Sequence, residues 1–154
     1  TGKDMGLLSE AGCPAIADPG ANLVRIAHEK EIQVVPLVGP SSILLALMAS
    51  GLNGQSFSFH GYLPIDRASC IEKIIQIESA SLKLKQTQIF IETPYRNKKL
   101  FELLIAHCQR STHLCIASNL TLQGEAIKTR SIKDWQTNSP DFEKKPTVFL
   151  LQRY

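Results

Sequence analysis

Residues 5–27 read MGLLSEAGCPAIADPGANLVRIA, and the order of side-chain types in this stretch decides what fold to expect. Met5–Leu8 is a short apolar run closed by turn residues, the form of a buried parallel strand. Ser9–Gly20 (SEAGCPAIADPG) then turns. After Asp18-Pro19-Gly20 the apolar residues Leu23, Val24, Ile26 and Ala27 recur at the i, i+3, i+4 spacing of an amphipathic helix ending near Lys30. Strand, loop and helix in that order make a β-turn-α unit. A second follows: Gln33–Leu37 restores a β-branched run, Val38–Ser42 (VGPSS) turns, and Ile43–Ala49 is apolar on all sides, which predicts a buried helix closed by Gly51.

The composition changes at Leu52-Asn53-Gly54-Gln55-Ser56, which places a lobe boundary there, with residues 1–54 before it and 55–154 after it. The second lobe also alternates. Strands are expected at Ser56–Tyr62, Gln88–Ile91, Leu114–Ala117, Glu125–Thr129 and Thr147–Leu151. Helices are expected over Arg67–Glu78, through Leu100, Phe101, Leu104, Ile105 and Cys108, and briefly around Ile132–Trp135. Pro146 suits an edge position, where a missing amide donor matters least. Such alternation predicts an α/β fold of mostly parallel sheets covered by helices, whose ligands bind outside the carboxyl ends of the strands. Both turn-rich segments lie there.

Composition narrows the function classes. With 44% hydrophobic and 20% charged residues the chain has ordinary globular chemistry. A net charge of +3 tolerates a polyanionic partner without requiring one. Cys13, Cys70, Cys108 and Cys115 form no CxxC pair and hold no zinc-like spacing to His28, His60, His107 or His113, so they read as reduced thiols and no metal is expected. No apolar run is long enough to span a bilayer and no signal peptide is evident, which makes the cytoplasm the expected location. The chain opens on Thr1-Gly2-Lys3-Asp4 as if in mid-element, and the expectation is a C-terminal piece of something longer.

Candidate chemistry collects at the strand-to-helix turns. In Gly12-Cys13-Pro14 glycine permits close backbone approach and proline stiffens the turn, so amides and carbonyls can meet a ligand's polar edge or simply make a tight connection. Asp18 can cap the following helix, accept a proton or contact an amine. Ser41 and Ser42 open the second helix, where hydroxyls and free amides satisfy one another or hold a carboxylate. Glu92-Thr93-Pro94-Tyr95-Arg96 occupies the same topological position after a strong strand, and Arg96 either forks onto an anion or pairs locally with Glu92. His60 and Tyr62 bring a titratable ring and a phenol beside the lobe boundary. A Walker lysine, a GxGxxG run and a nucleophile elbow are all missing, which argues against a phosphate loop, a standard dinucleotide site and serine hydrolysis.

Taken together, LLSEAGCPAIADPG, VVPLVGPSSILLALMASG, FHGYLP and IFIETPYR resemble the tetrapyrrole methylase superfamily, nearest its ribosomal RNA small-subunit methyltransferase I branch. The resemblance covers nearly the whole chain, which corresponds to roughly the last two-thirds of a member. It implies two α/β lobes, the first incomplete here, with S-adenosylmethionine folded into the cleft between them and pairing as a homodimer. It further implies that Ala11, Gly12, Cys13, Pro14 and Ile16, the pair Ser41 and Ser42, and in the second lobe Glu92 and Leu120 contact the cofactor. Where the RNA branch usually carries Arg-Glu-Leu-Thr-Lys, this chain reads Ser118-Asn119-Leu120-Thr121-Leu122-Gln123 and loses both charged ends.

The implied activity is S-adenosylmethionine-dependent methylation of a cytidine 2′-hydroxyl in small-subunit ribosomal RNA. A tetrapyrrole or other small molecule is the alternative acceptor, and a non-catalytic cofactor- or RNA-binding module is the alternative class. A ribose hydroxyl must lose its proton during transfer, and Asp18, His60 and Arg96 are the candidates to assist. Whether this length of chain is active alone is a separate question.

Overall fold

The regular elements follow the side-chain periodicity: α1 (Ala21–Glu29), α2 (Ser42–Ser50), β1 (Phe57–Tyr62), α3 (Arg67–Leu84), β2 (Thr87–Glu92), α4 (Asn97–His107), β3 (His113–Ser118), β4 (Ala126–Ser131), α5 (Ile132–Trp135) and β5 (Thr147–Gln152). The structure, a computed structural model, describes residues 2–10, 12–142 and 144–154. Two compact units divide the chain, one reaching Ser42 and the other spanning Ile43–Tyr154.

The second unit is built on one five-stranded sheet in the order β1-β2-β5-β3-β4. Its pleat sorts side chains onto two faces. Phe90, Phe149 and Ile116 stand in register on one face, which α3, α4 and α5 cover, and the Phe90 and Phe149 rings stack at 5.8 Å. Ile91, Val148 and Ala117 stand in register on the other, with Ile43, Ala46 and Leu47 of α2 in the same cluster. Each fully buried Phe, Leu or Ile stabilises this sandwich by about 1.5–3 kcal/mol relative to exposure.

Helix ends follow local chemistry. Asp66 caps α3 by accepting the Ser69 amide at 2.9 Å, and that bond holds its carboxyl below the ordinary range. α3 runs a turn and a half beyond the expected end at Glu78 and stops at Lys85, whose φ of 52° is left-handed. Glu78 itself is buried and accepts from the Gln109 amide at 2.7 Å and the Thr112 hydroxyl at 2.5 Å, tying α3 to the turn before β3.

Four expectations need correcting. The sheet is mixed rather than mostly parallel: β1 and β2 are parallel, while β2–β5, β3–β5 and β3–β4 are antiparallel. The reason is β5, the last strand in sequence, which inserts between β2 and β3; hydrophobic runs show that a strand exists but not where it pairs. Pro146 therefore precedes a central strand, not an edge, and it is tolerated because it stands just before the ladder, where its carbonyl accepts the Asn119 amide at 3.0 Å.

In the first unit, Met5–Leu8 and Gln33–Leu37 form no strand among the described residues; Met5, Leu8 and Leu37 are more than four-fifths exposed. An apolar run becomes a strand only where a neighbour completes its ladder and something covers its face. Finally, α2 is not buried all round: Leu44 and Met48 are 50% and 79% exposed. Its inner stripe packs on the sheet of the second unit, and its outer stripe does not.

Candidate functional site

In the first unit the Gly12–Gly20 loop turns by repeated excursions into left-handed backbone. Gly12 has φ +79°, and a Cβ there would meet nothing within 4 Å, so its face is open to a ligand. Gly20 is the opposite case, since a Cβ at its φ of +141° would stand 2.6 Å from Leu7 Cδ2. The loop closes through the Ala15 amide to Pro19 carbonyl at 3.3 Å and the Ile16 amide to Cys13 carbonyl at 3.2 Å. The Cys13 thiol donates to the Pro40 carbonyl at 3.5 Å. That contact brings the two turn-rich segments together within this unit.

Around that junction, Pro14 is half-buried, Ile16 is 52% exposed, and Ser41 and Ser42 have no side-chain hydrogen bond among the described residues. Capping therefore does not explain the serine pair. Asp18 does not cap either, because α1 starts from Gly20 without a side-chain bond. Ala11, expected at this site, lies outside the described residues.

In the second unit, the carboxyl ends of β2 and β3 share one sheet edge, since Glu92, Thr147 and Ser118 are in register across three strands. The Ser118 and Thr147 hydroxyls bond at 2.9 Å. Beyond Ser118 the chain makes a tight loop in which Thr121, a β-branched residue, holds φ 65°. The Glu125 carboxylate stabilises that strained turn by accepting the Thr121 amide at 2.7 Å. Leu120 and Thr121 from this loop, Ile127 of β4, and Leu45, Met48 and Ala49 of α2 line a largely apolar cavity of about 310 Å³, with Glu125 at its border. That is room for a flat heteroaromatic group.

Glu92 faces the other way. It lies on the α3/α4 face, 8% exposed, where Oε1 accepts from the Thr93 amide at 2.6 Å and from Arg96 Nε at 3.0 Å and Nη2 at 2.6 Å. The local ion pair is thus formed, and Glu92 reaches outward only through its backbone. Glu92 and Arg96 border a small cleft with Pro64, Ile65, Cys70 and Lys99, where burial pushes the Cys70 thiol up and Glu92 adds to the effect. His60 is half-buried on β1, with Nε2 at 2.7 Å from Gln88 Oε1. The Gln88 amide nitrogen donates to the Gln86 carbonyl at 3.3 Å, so Gln88 Oε1 is the acceptor and His60 Nε2 the donor of that bond.

The structure thus joins Gly12–Pro14 to Pro40 in one unit and gives Leu120 a cavity in the other. Leu45, Met48, Ala49, Thr121 and Glu125 were not singled out in the sequence. The available signal was α2 itself, a helix with no polar stripe, whose surplus apolar face needs a second partner. Among the described residues no group of three His, Cys, Asp or Glu side chains could hold a metal, and no helix is long and apolar enough to cross a membrane.

Residues 1–136 match the sequence model of the Tetrapyrrole (Corrin/Porphyrin) Methylases. The chain is 32% identical over 157 residues to the Ribosomal RNA small subunit methyltransferase I of Vibrio cholerae serotype O1, covering 100% of this chain and 53% of that protein. It is 36% identical over 154 residues to the protein of that name from Escherichia coli O157:H7, covering 98% and 52%. The chain therefore spans about half the length of the curated relatives it matches. Among solved structures it resembles the methyltransferase CobJ, with a TM-score of 0.59 and 18% identity over 92% of this chain and 62% of that one. It also resembles uroporphyrin-III-C-methyltransferase from Thermus thermophilus, with a TM-score of 0.53 and 20% identity over 92% and 60%.

Proposed function

The chain belongs to the tetrapyrrole (corrin/porphyrin) methylase family, and from that premise we propose an S-adenosylmethionine-dependent methyltransferase of small-subunit ribosomal RNA whose acceptor is a cytidine 2′-hydroxyl. The RNA assignment is supported by relatives at 32–36% identity that are named ribosomal RNA small subunit methyltransferase I. The observation that carries the cofactor assignment is the junction of Gly12–Pro14 with Pro40 through the Cys13 thiol, beside two serines whose side chains make no hydrogen bond among the described residues.

Each unit by itself offers groups that fit the cofactor. Ser41 and Ser42 offer hydroxyls and helix-opening amides to a carboxylate, and the open face of Gly12 allows a ligand against the backbone. The cavity at Leu120 suits an apolar ring, with the Glu92 backbone at the same sheet edge as a further contact. Bound S-adenosylmethionine would supply an electrophilic methyl group. The protein's part is then to hold the acceptor oxygen in line and take its proton, and alignment supplies much of the acceleration. Arg96 is committed to Glu92, whereas His60 Nδ1 makes no hydrogen bond among the described residues, so His60 is the proposed proton acceptor, with Asp18 the other candidate. A cytoplasmic homodimer completes the proposal, and the exposed Leu44 and Leu122 are side chains that self-association would cover.

Calorimetry on the full-length protein with S-adenosylmethionine tests the cofactor, and absence of binding would end the methyltransferase reading. Transfer of labelled methyl to small subunits lacking the modification tests the acceptor. A cofactor-binding protein that leaves those subunits unlabelled acts on something else.

A further inference from the structure

We propose that the surface formed by Tyr62, Ile65, Tyr95, Lys98, Lys99 and Lys144 docks single-stranded RNA, with unpaired bases on the tyrosines and phosphates on the lysines. The inference rests on the RNA reading above and goes beyond it by assigning the surface and the strandedness. β1 and β2 are parallel neighbours, so their carboxyl ends lie at one sheet edge. Tyr62 ends β1 in register with Ile91 and is 56% exposed; Tyr95, in the turn after β2 closed by the Arg96 amide to Thr93 carbonyl bond at 2.9 Å, is 81% exposed. Two large rings left in water at adjacent strand ends are a platform rather than core.

The charges at this edge are unequally spent. Arg96 is held by Glu92 and Lys145 by Asp141, while Asp66 caps α3. Lys98, Lys99 and Lys144 make no salt bridge among the described residues, and all three are exposed. The Asn97 side-chain amide donates to the Lys145 carbonyl at 2.8 Å, which fixes the Lys144 segment against the first turn of α4, where Lys98 and Lys99 stand. Ile65 and Lys99 border a cleft of only about 40 Å³, too small to admit a base, so a base lies across it beside a cation. Exposed rings with unspent lysines and no deep pocket suit bases whose faces are free. A duplex hides those faces.

The test is fluorescence anisotropy of the full-length protein with a 5′-fluorescein-labelled single-stranded RNA 12-mer of mixed sequence and with the corresponding duplex, across a salt series. Tyr95→Ala should weaken single-strand binding by about 5- to 150-fold, the range for losing one base–aromatic stack. Tyr95→Phe should keep it within about threefold, because the ring face remains. Lys98→Gln with Lys99→Gln should reduce the slope of log affinity against log salt by about 1.4, two phosphate contacts' worth for a single strand. Cofactor affinity should be unchanged in all of them. If the wild type binds the 12-mer and modifies small subunits while these variants bind as it does, the surface is wrongly assigned and the RNA reading survives. If the duplex binds as tightly as the single strand, the strandedness is overturned. If the protein binds S-adenosylmethionine but no RNA, this proposal and the RNA reading fall together.

Discussion

Replacing Arg96 by methionine separates the two roles the sequence leaves open for it, a fork onto a ligand or a partner for Glu92. The Glu92 side chain is 6% exposed and that of Arg96 is 30% exposed, and two guanidinium donors meet the same carboxylate oxygen. Charge-assisted bonds contribute about 1.5–3 kcal/mol each where well buried, but sharing one oxygen and leaving arginine a third in water lowers the pair to a coupling of about 2 kcal/mol. Arg96→Met alone leaves a buried carboxylate with only the Thr93 amide, so it should cost more than that coupling, about 2–3 kcal/mol. The assay is a double-mutant cycle of Arg96→Met and Glu92→Gln in the full-length protein, with urea unfolding at neutral pH followed by far-ultraviolet circular dichroism. Cofactor affinity should stay within a few-fold of wild type throughout. A coupling below about 0.5 kcal/mol, with methyl transfer nonetheless collapsing in Arg96→Met, would show that the guanidinium serves a ligand and would refute the reasoning.

Ser41→Ala with Ser42→Ala should lower S-adenosylmethionine affinity about 10-fold or more by calorimetry and leave the melting temperature unchanged, because neither hydroxyl has a partner within the described residues. Trp135→Phe removes the indole donor to the Leu114 carbonyl at 2.8 Å and shrinks the ring face under Arg130, and should destabilise the protein by about 1–3 kcal/mol in calorimetric melts. Burial raises the Cys70, Cys108 and Cys115 thiols above 9.0. Below that pH the thiols are protonated whether the chain is folded or not. Above it the unfolded chain ionises first and binds fewer protons, so stability should fall by about 1.4 kcal/mol per pH unit per thiol until the folded thiol ionises. Urea midpoints from pH 8 to 10.5 read this out, and Cys108→Ala should flatten the slope by one thiol's share.

How much was legible depends on how local the cause is. The strands Gln88–Ile91, Leu114–Ala117 and Thr147–Leu151 and the short α5 reappear within a residue or two, because burial on both faces or one helical turn leaves a mark in the nearest neighbours. The Gly-Cys-Pro turn and the serine pair were also legible, since glycine, proline and hydroxyl side chains mark the points where backbone groups come free. Pairing was not. That β5 enters between β2 and β3 depends on contacts far apart in sequence, and the same apolar run would serve any central position in a sheet.

The site divides along the same line. The sequence by itself determined the chemical inventory: a glycine-proline turn, paired hydroxyls, an Arg-Glu pair one helical turn apart, and no metal-like spacing. Only the tertiary structure decided how it is spent. It closes Arg96 onto Glu92, turns that carboxylate toward α3 and α4, leaves the Ser41 and Ser42 hydroxyls without partners among the described residues, and opens the cavity under Leu120 against the outer face of α2. A side chain's type states what it can bond, but whether the bond is already satisfied depends on which distant backbone or side chain folds against it.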